Sequence, residues 1–135
     1  MRESAQGMAA ILDEMGLHVK YCHEWGIPPE EMQSLPEAKA TMAYTRYVLE
    51  RGLAGDLLDL QVALAPCVVG YAEIGARLLA EQGGRVPDDH PYKAWIEMYA
   101  GEDYQQVARD AVALMDRLMR GRGGEGRFDS LTTTF

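Results

Sequence analysis

Hydrophobic side chains recur along most of this chain at the three- and four-residue spacing of amphipathic helices. The first 25 residues show this most clearly, because their apolar positions form a single stripe: Met8, Ile11, Leu12, Met15, Val19 and Cys22. No segment alternates apolar and polar residues with the period of two that marks a half-buried strand. The pattern predicts an all-α protein, an antiparallel helical bundle with short connections.

Glycines, prolines and capping residues divide the chain into five predicted helices. Their expected ranges are 4–25, 34–51, 56–81, 92–100 and 103–120. Ser34 and Asp56 are the expected N-caps of the second and third helices, and Gly52 is the expected C-terminal glycine of the second. Residues 27–35 and 121–126 are expected to be loops, and residues 127–135 only the opening of a sixth helix.

The longest apolar run, residues 58–79, is the element around which the other helices are expected to pack. Pro66 interrupts this run, and a kink is predicted there because proline lacks a backbone N–H. Cys67 follows directly, and Tyr71 lies one helical turn further on the same face. A kink beside a thiol predicts a pocket at this point of the bundle.

Length and charge narrow the classes of function. The 135 residues predict one domain, 1–135, with a core of its own. The net charge of -8 argues against a nucleic-acid partner, because no basic field is available to meet phosphates. Asp59, Glu73 and Arg77 within the apolar run argue against a membrane span, and the N-terminus lacks the pattern of a signal peptide. We therefore expect a cytoplasmic protein with reduced thiols.

The sequence predicts neither a metal site nor a cofactor. Its two cysteines, Cys22 and Cys67, are too widely spaced to form a metal-binding motif. His18 and His23 lie about 140° apart around a helix, so their rings do not converge on one ion. Neither a glycine-rich phosphate loop nor a G-x-S-x-G motif is present in the sequence.

Two interpretations of Cys67 remain open at the level of its local sequence. Cysteine is among the most buried residue types, so Cys67 could be a free thiol that only packs in the core, and the local pattern favours this. The alternative is a nucleophile in an apolar pocket with tyrosines nearby. The tyrosines are equally ambiguous, since a helical bundle can bury them with their hydroxyls satisfied.

Three longer segments of the chain resemble the TenA family, the thiaminase II or aminopyrimidine aminohydrolases of the TENA/THI-4/PqqC group. They are Glu37 with Ala43-Tyr44-Thr45, then Ala65-Pro66-Cys67-x-x-x-Tyr71-x-Glu73-x-Gly75, and then His90-Pro91-Tyr92-x-x-Trp95-Ile96-x-x-Tyr99. The stretches 14–18 and 25–27 are also similar to the family. The resemblance covers most of the chain, and the order and spacing of the second and third segments are specific.

The resemblance implies a haem-oxygenase-like helical bundle that usually forms homotetramers. It implies hydrolysis of thiamin or, more often, of its aminomethyl-aminopyrimidine breakdown product to hydroxymethylpyrimidine in thiamin salvage. Cys67 matches the nucleophile of the family's cysteine type. Tyr44 and Tyr71 match tyrosines that hydrogen-bond in the pocket, and Tyr99 matches a tyrosine that lines the wall of the ring-binding site.

The chain departs from the family pattern at both ends. Family members begin with further helices, one of which carries an aspartate that holds the pyrimidine amino group. They end with a helix whose glutamate acts as proton donor and acceptor. Neither residue has a counterpart here, so we expect an incomplete bundle that is part of a longer chain or that associates through the uncovered faces of its helices.

Whether the chain is an enzyme is therefore left open by its sequence. The main hypothesis is a cysteine-type aminopyrimidine hydrolase that acts on a small molecule. The alternative is a non-catalytic or regulatory helical module that keeps the family scaffold and binds pyrimidines. A generic bundle in which Cys67 only packs is the third interpretation.

Overall fold

The computed structural model describes residues 2–122 and 124–135. Seven helices occur in this part of the chain. They are α1 (Arg2–Glu24), α2 (Pro29–Ser34), α3 (Lys39–Ala54), α4 (Leu57–Glu81), α5 (Lys93–Ala100), α6 (Glu102–Arg122) and α7 (Glu125–Thr134). The described residues contain no strand, so the all-α prediction is confirmed. The contacts divide the chain into two units, residues 1–39 and 40–135, and the prediction of one domain stays a prediction.

The first unit contains α1 and α2. The prediction that residues 27–35 form a loop is wrong, because α2 occupies most of this segment. Pro29 stands in its first turn with Glu30 and Glu31, where proline and acidic residues favour a helix start. Ser34 was predicted to cap the next helix, but it ends α2, and its hydroxyl donates a hydrogen bond to the carbonyl of Glu31 at 2.9 Å. Consequently α3 begins later than predicted, at Lys39.

The apolar stripe predicted for the first helix is present on α1, but it is largely exposed. Five of its six members have relative exposures between 43% and 67%: Met8, Ile11, Leu12, Met15 and Val19. The amphipathic pattern therefore predicted the helix correctly, although most of its apolar stripe is exposed.

The second unit is organised around α4, which contacts α5, α6 and α7. Asp56 is its N-cap as predicted, and the Asp59 side chain accepts a hydrogen bond from the Asp56 backbone in return, which completes a capping box. The helix continues through Pro66, and the kink predicted there stays a prediction. By length and composition alone α4 could cross a membrane, a test that core helices of soluble proteins also meet.

Helices α3 and α6 both run antiparallel to α4. On α3, the side chain of Tyr44 reaches Ala63, whereas Gly52, further along, lies against Leu60. The prediction that this helix ends at residue 51, with Gly52 as its C-terminal glycine, is wrong by three residues, since α3 continues to Ala54. The start of α6 lies beside Cys67. Residues near its end pack against a buried cluster formed by the start of α4 and by α7: Met115, Leu118 and Met119 against Leu58, Val62 and Leu131.

Residues 125–134 form helix α7, where the sequence predicted only an opening turn. Its Leu131 is 7% exposed and belongs to the core cluster. The guanidinium of Arg127 donates hydrogen bonds to Asp56, at 2.8 and 3.1 Å, and to Asp59, at 2.6 Å. Tyr47 of α3 also donates to the carbonyl of Thr134 at 3.2 Å. These partners are 68 to 87 residues away in sequence, so no local pattern could have indicated them.

We expect the substitution Asp56→Ala to lower the free energy of unfolding at neutral pH by about 1–2 kcal/mol, because the N-cap of α4 is lost. Partial burial acts to raise the pKa of Asp56, but hydrogen bonds from Arg127 and from the backbone N–H groups of Leu58 and Asp59 hold it below its usual range. Because the pKa of this carboxyl is lower in the folded state than in the unfolded state, about 3.9, its ionised form stabilises the fold at pH values above the unfolded pKa. This contribution is lost as the pH falls through the folded-state pKa.

Chemical denaturation at neutral pH and again in acid measures this effect. The difference between wild type and Asp56→Ala should shrink on acidification. Asp103→Ala is the control, because Asp103 is an exposed carboxylate in the first turn of α6, and its loss should change stability by about 0.5 kcal/mol or less. An Asp56→Ala deficit that is unchanged in strong acid would contradict the ion-pair and capping explanation.

Candidate functional site

The candidate site lies along one face of α4, in the second unit. Cys67 is a free cysteine, half-buried in the middle of the helix. Tyr71 follows one turn later on the same face and is 39% exposed. Cys67 therefore lies at the edge of the core.

Tyr44 reaches this face from α3. Its hydroxyl donates a hydrogen bond to the carbonyl of Ala63 at 3.1 Å, one turn before Cys67. Burial raises the pKa of Tyr44 well above its usual range, and a hydrogen bond with the side chain of Cys67 raises it further. The phenol therefore stays protonated at physiological pH and has its O–H beside the sulfur.

Four aromatic side chains from α4, α5 and α6 form a group next to Cys67: Tyr71, Trp95, Tyr99 and Tyr104. The ring centroid of Tyr99 lies 4.5 Å from that of Trp95, 4.6 Å from that of Tyr104 and 5.1 Å from that of Tyr71. The contacts with Tyr71 and Tyr104 are edge-to-face, an arrangement that aromatic pairs favour. Tyr99 is the centre of this aromatic group and is 1% exposed.

The structure thus brings the four predicted site residues into one region. Tyr44 is next to the thiol of Cys67, Tyr71 is on its face, and Tyr99 is linked to Tyr71 by ring contact. Because Tyr99 is enclosed by other rings, the aromatic surface that the group offers to solvent comes from partly exposed neighbours such as Tyr71. The roles predicted for these residues stay predictions.

Sequence reasoning gave no role to Trp95 or to Tyr104. Trp95 was part of the third resembling segment, and its ring contacts both Tyr71 and Tyr99. Tyr104 lies within the predicted helix 103–120 and had no role there, yet its hydroxyl donates to the carbonyl of Cys67 at 3.3 Å. That contact spans 37 residues, so only the packing of α6 on α4 could have shown it.

Gly75 lets α5 approach α4 closely enough to hold Tyr99 in place. A Cβ atom at Gly75 would lie 2.8 Å from the backbone carbon of Tyr99 and 2.9 Å from the backbone nitrogen of Ala100. Real Cβ atoms essentially never come so close to another heavy atom. Gly75, the glycine of the second resembling segment, is therefore needed for the close crossing of α4 and α5.

A separate open groove of about 290 Å³ lies between α4 and α6 and contains none of the predicted site residues. It is lined by Val69, Ala72, Glu73, Gln105, Ala108, Arg109, Val112, Ala113 and Asp116. Val69 and Glu73 lie on the side of α4 away from Cys67, since helical positions two and six residues on are rotated by about 200° and 240°. Within the described part of the chain, no three His, Cys, Asp or Glu side chains are close enough to hold a metal ion.

Comparison with known proteins places this geometry in context. The family described as TENA/THI-4/PQQC matches residues 1–125. The aminopyrimidine aminohydrolase of Halalkalibacterium halodurans is 38% identical over 114 residues, which are 84% of this chain and 50% of that protein. The aminopyrimidine aminohydrolase of Bacillus subtilis is 29% identical over 128 residues, which are 94% of this chain and 51% of that protein.

A solved structure is similar as well. The crystal structure of a protein described as a TenA family transcription regulator, from Silicibacter sp. TM1040, superimposes with a TM-score of 0.81 at 43% identity, covering 93% of this chain and 56% of that one. The predicted haem-oxygenase-like fold is thereby confirmed. The chain spans about half the length of each of these three relatives.

Proposed function

Because the chain belongs to the TENA/THI-4/PQQC family, we propose that it acts in thiamin salvage as a hydrolase of aminopyrimidine breakdown products. The relatives named aminopyrimidine aminohydrolase support the reaction class. The observation that carries the proposal is the contact of Tyr44 with the half-buried thiol of Cys67, beside an aromatic group. A nucleophile, a donor next to it and a surface for a flat ring are thus present together.

The proposed reaction replaces an amino group on the methylene carbon of the pyrimidine by a hydroxyl. The thiolate of Cys67 adds to the ring, and the electron pair this supplies expels the amino group, which leaves as ammonia once protonated. Water then adds to the exocyclic carbon and loses a proton, the C–S bond breaks, and the thiolate is regenerated. The sum is one aminomethyl compound and one water converted to one hydroxymethyl compound and one ammonia. This is covalent catalysis by an activated thiol.

Each remaining site residue has a role in this proposal. The Tyr44 hydroxyl lies beside the side chain of Cys67, where it contacts a ligand held at the sulfur. Tyr71 lies on the face of Cys67 and is exposed enough to contact a ligand. Tyr99 supports the ring-binding wall from beneath, since it is buried within the aromatic group. None of the described residues is assigned the acid-base role, which is typically worth about two to four orders of magnitude in rate.

The proposed context of the reaction follows from the same features. The substrate is a small pyrimidine or a thiamin-derived molecule, and the chemistry above requires neither a metal nor a cofactor. A cytoplasmic homo-oligomer, without a nucleic-acid or membrane partner, is the setting that we propose. The acidic charge of -8 supports the exclusion of nucleic acid.

The direct test is to incubate the protein with aminomethyl-aminopyrimidine, and separately with thiamin, and to measure hydroxymethylpyrimidine and ammonia. From the aminomethyl compound we expect hydroxymethylpyrimidine and ammonia in equal amounts. From thiamin we expect a slower reaction, in which the thiazole leaves and no ammonia is released. Tight binding of either compound without product would contradict the enzyme. That outcome would instead support a non-catalytic pyrimidine-binding module, the second candidate, which is favoured by the description of the solved Silicibacter relative as a transcription regulator.

A further inference from the structure

The first turn of α6 reaches across to the backbone of the candidate nucleophile. The hydroxyl of Tyr104 donates to the carbonyl of Cys67 at 3.3 Å, and the Tyr104 ring packs against the edge of Tyr99, with centroids 4.6 Å apart. Tyr104 is half-buried, so this contact is partly shielded from water. One side chain thus touches both the helix that carries the thiol and the centre of the aromatic group.

The neighbouring residue ties the same three helices together. The side-chain amide of Gln105 donates to the carbonyls of Ala72 and Tyr99, both at 2.9 Å. Tyr99 is in the last turn of α5, where carbonyl groups have no partner within their own helix. Gln105 therefore supplies a hydrogen bond to a carbonyl in the last turn of α5 and another to α4, so that α6 supports both helices.

The turn of α4 that contains Pro66 has a particular need for such support. Proline has no N–H, so the hydrogen bond that position 66 would donate to the carbonyl of Val62 is absent. Two tyrosine hydroxyls from other helices donate to carbonyls of this part of α4. Tyr44 donates to Ala63, which precedes Pro66, and Tyr104 donates to Cys67, which follows it. External hydrogen bonds thus hold α4 on both sides of the proline.

We propose that Tyr104 is a positioning residue, which holds the backbone of Cys67 so that the sulfur stays aligned with the Tyr44 hydroxyl and the aromatic group. This inference rests on the proposed function, because it assigns Tyr104 to the same reaction. Tyr104 touches no reacting atom in this proposal. Its contribution is the placement of the thiol, and a displacement of about 1 Å at a reacting group can cost up to about a hundredfold in rate.

The test compares Tyr104→Phe with Tyr47→Phe. Both substitutions remove one tyrosine hydroxyl that donates to a backbone carbonyl, at 3.3 Å and 3.2 Å respectively, but only Tyr104 bonds to the helix segment of the thiol. We expect similar decreases of Tm in the two variants. In Tyr104→Phe, kcat should fall by about tenfold with KM nearly unchanged, whereas Tyr47→Phe should keep the wild-type kcat.

A second measurement is independent of turnover. Alkylation of Cys67 by iodoacetamide at neutral pH, followed by mass spectrometry with Cys22 as the internal reference, reports the reactivity of the thiol itself. We expect a severalfold slower reaction of Cys67 in Tyr104→Phe only. Equal effects of the two substitutions on Cys67, or no effect of Tyr104→Phe, would overturn the positioning role. If the wild type releases no product, the proposed function fails, and the alkylation rates still decide the role of Tyr104.

Discussion

The substitution Cys67→Ser should abolish the release of hydroxymethylpyrimidine, with a loss in kcat of about a thousandfold or more. A serine hydroxyl is nearly isosteric with the thiol but does not ionise at neutral pH, so the ring receives no nucleophile. Because Cys67 is half-buried and the substitution leaves the hydrogen bond from Tyr44 to the Ala63 carbonyl in place, the fold should be retained. The measurement is the initial rate of product formation, combined with substrate binding by calorimetry, which should persist.

Cys22→Ser is the matched control for this experiment. Cys22 is the second free cysteine and is also half-buried, but it belongs to α1 in the first unit. The Cys22→Ser variant should therefore turn over substrate at the wild-type rate. Turnover that survives in Cys67→Ser would remove the nucleophile assignment and return Cys67 to a packing role.

The substitution with the largest expected effect on stability is Gly75→Ala. The added methyl group would lie 2.8 Å from the backbone and the Cβ of Tyr99, and backbone atoms cannot rotate away as a flexible side chain can. We expect the free energy of unfolding to fall by about 1–3 kcal/mol, the range typical of overpacking. Because α5 must shift to relieve the contact, the displaced Tyr99 should also lower the activity of the variant.

Gly70→Ala tests the same change in the same helix without the steric conflict. No atom lies within 4 Å of the position that its Cβ would take. Alanine within a helix is favoured over glycine, so this variant should gain about 0.5–1 kcal/mol. Thermal melts of both variants give the comparison. Equal stability of Gly75→Ala and Gly70→Ala would show that α4 and α5 are free to separate.

Helix positions followed from the sequence wherever the signal was local. The central helix is the clearest example, because Asp56 caps it through bonds to residues two and three positions away. The errors arose where a local signal competed with a neighbouring one. Ser34 was the expected N-cap of α3, but Pro29 with Glu30 and Glu31 started α2 first, and Ser34 ended it.

The residues of the candidate site also divide into those that local spacing relates and those that only distant contacts relate. Cys67 and Tyr71 are one helical turn apart, so their common face was readable from spacing alone. Tyr44 and Tyr99 could be proposed only from the resemblance to a family, because nothing local relates them to Cys67. Tyr104 escaped both approaches, since its link to Cys67 is a hydrogen bond to a backbone carbonyl, which places no demand on the local residue pattern.

The sequence by itself determined that this protein is helical, where most of its helices lie, and that a thiol and a tyrosine share a face of the central one. These properties depend on the periodicity of side chains and on caps within a few residues. Only the tertiary structure decided that α7 is a helix at all, since Arg127 and Leu131 find their partners on α4. It also decided which hydroxyls surround the thiol, because hydrogen bonds and ring contacts between distant segments exist only once the helices have packed.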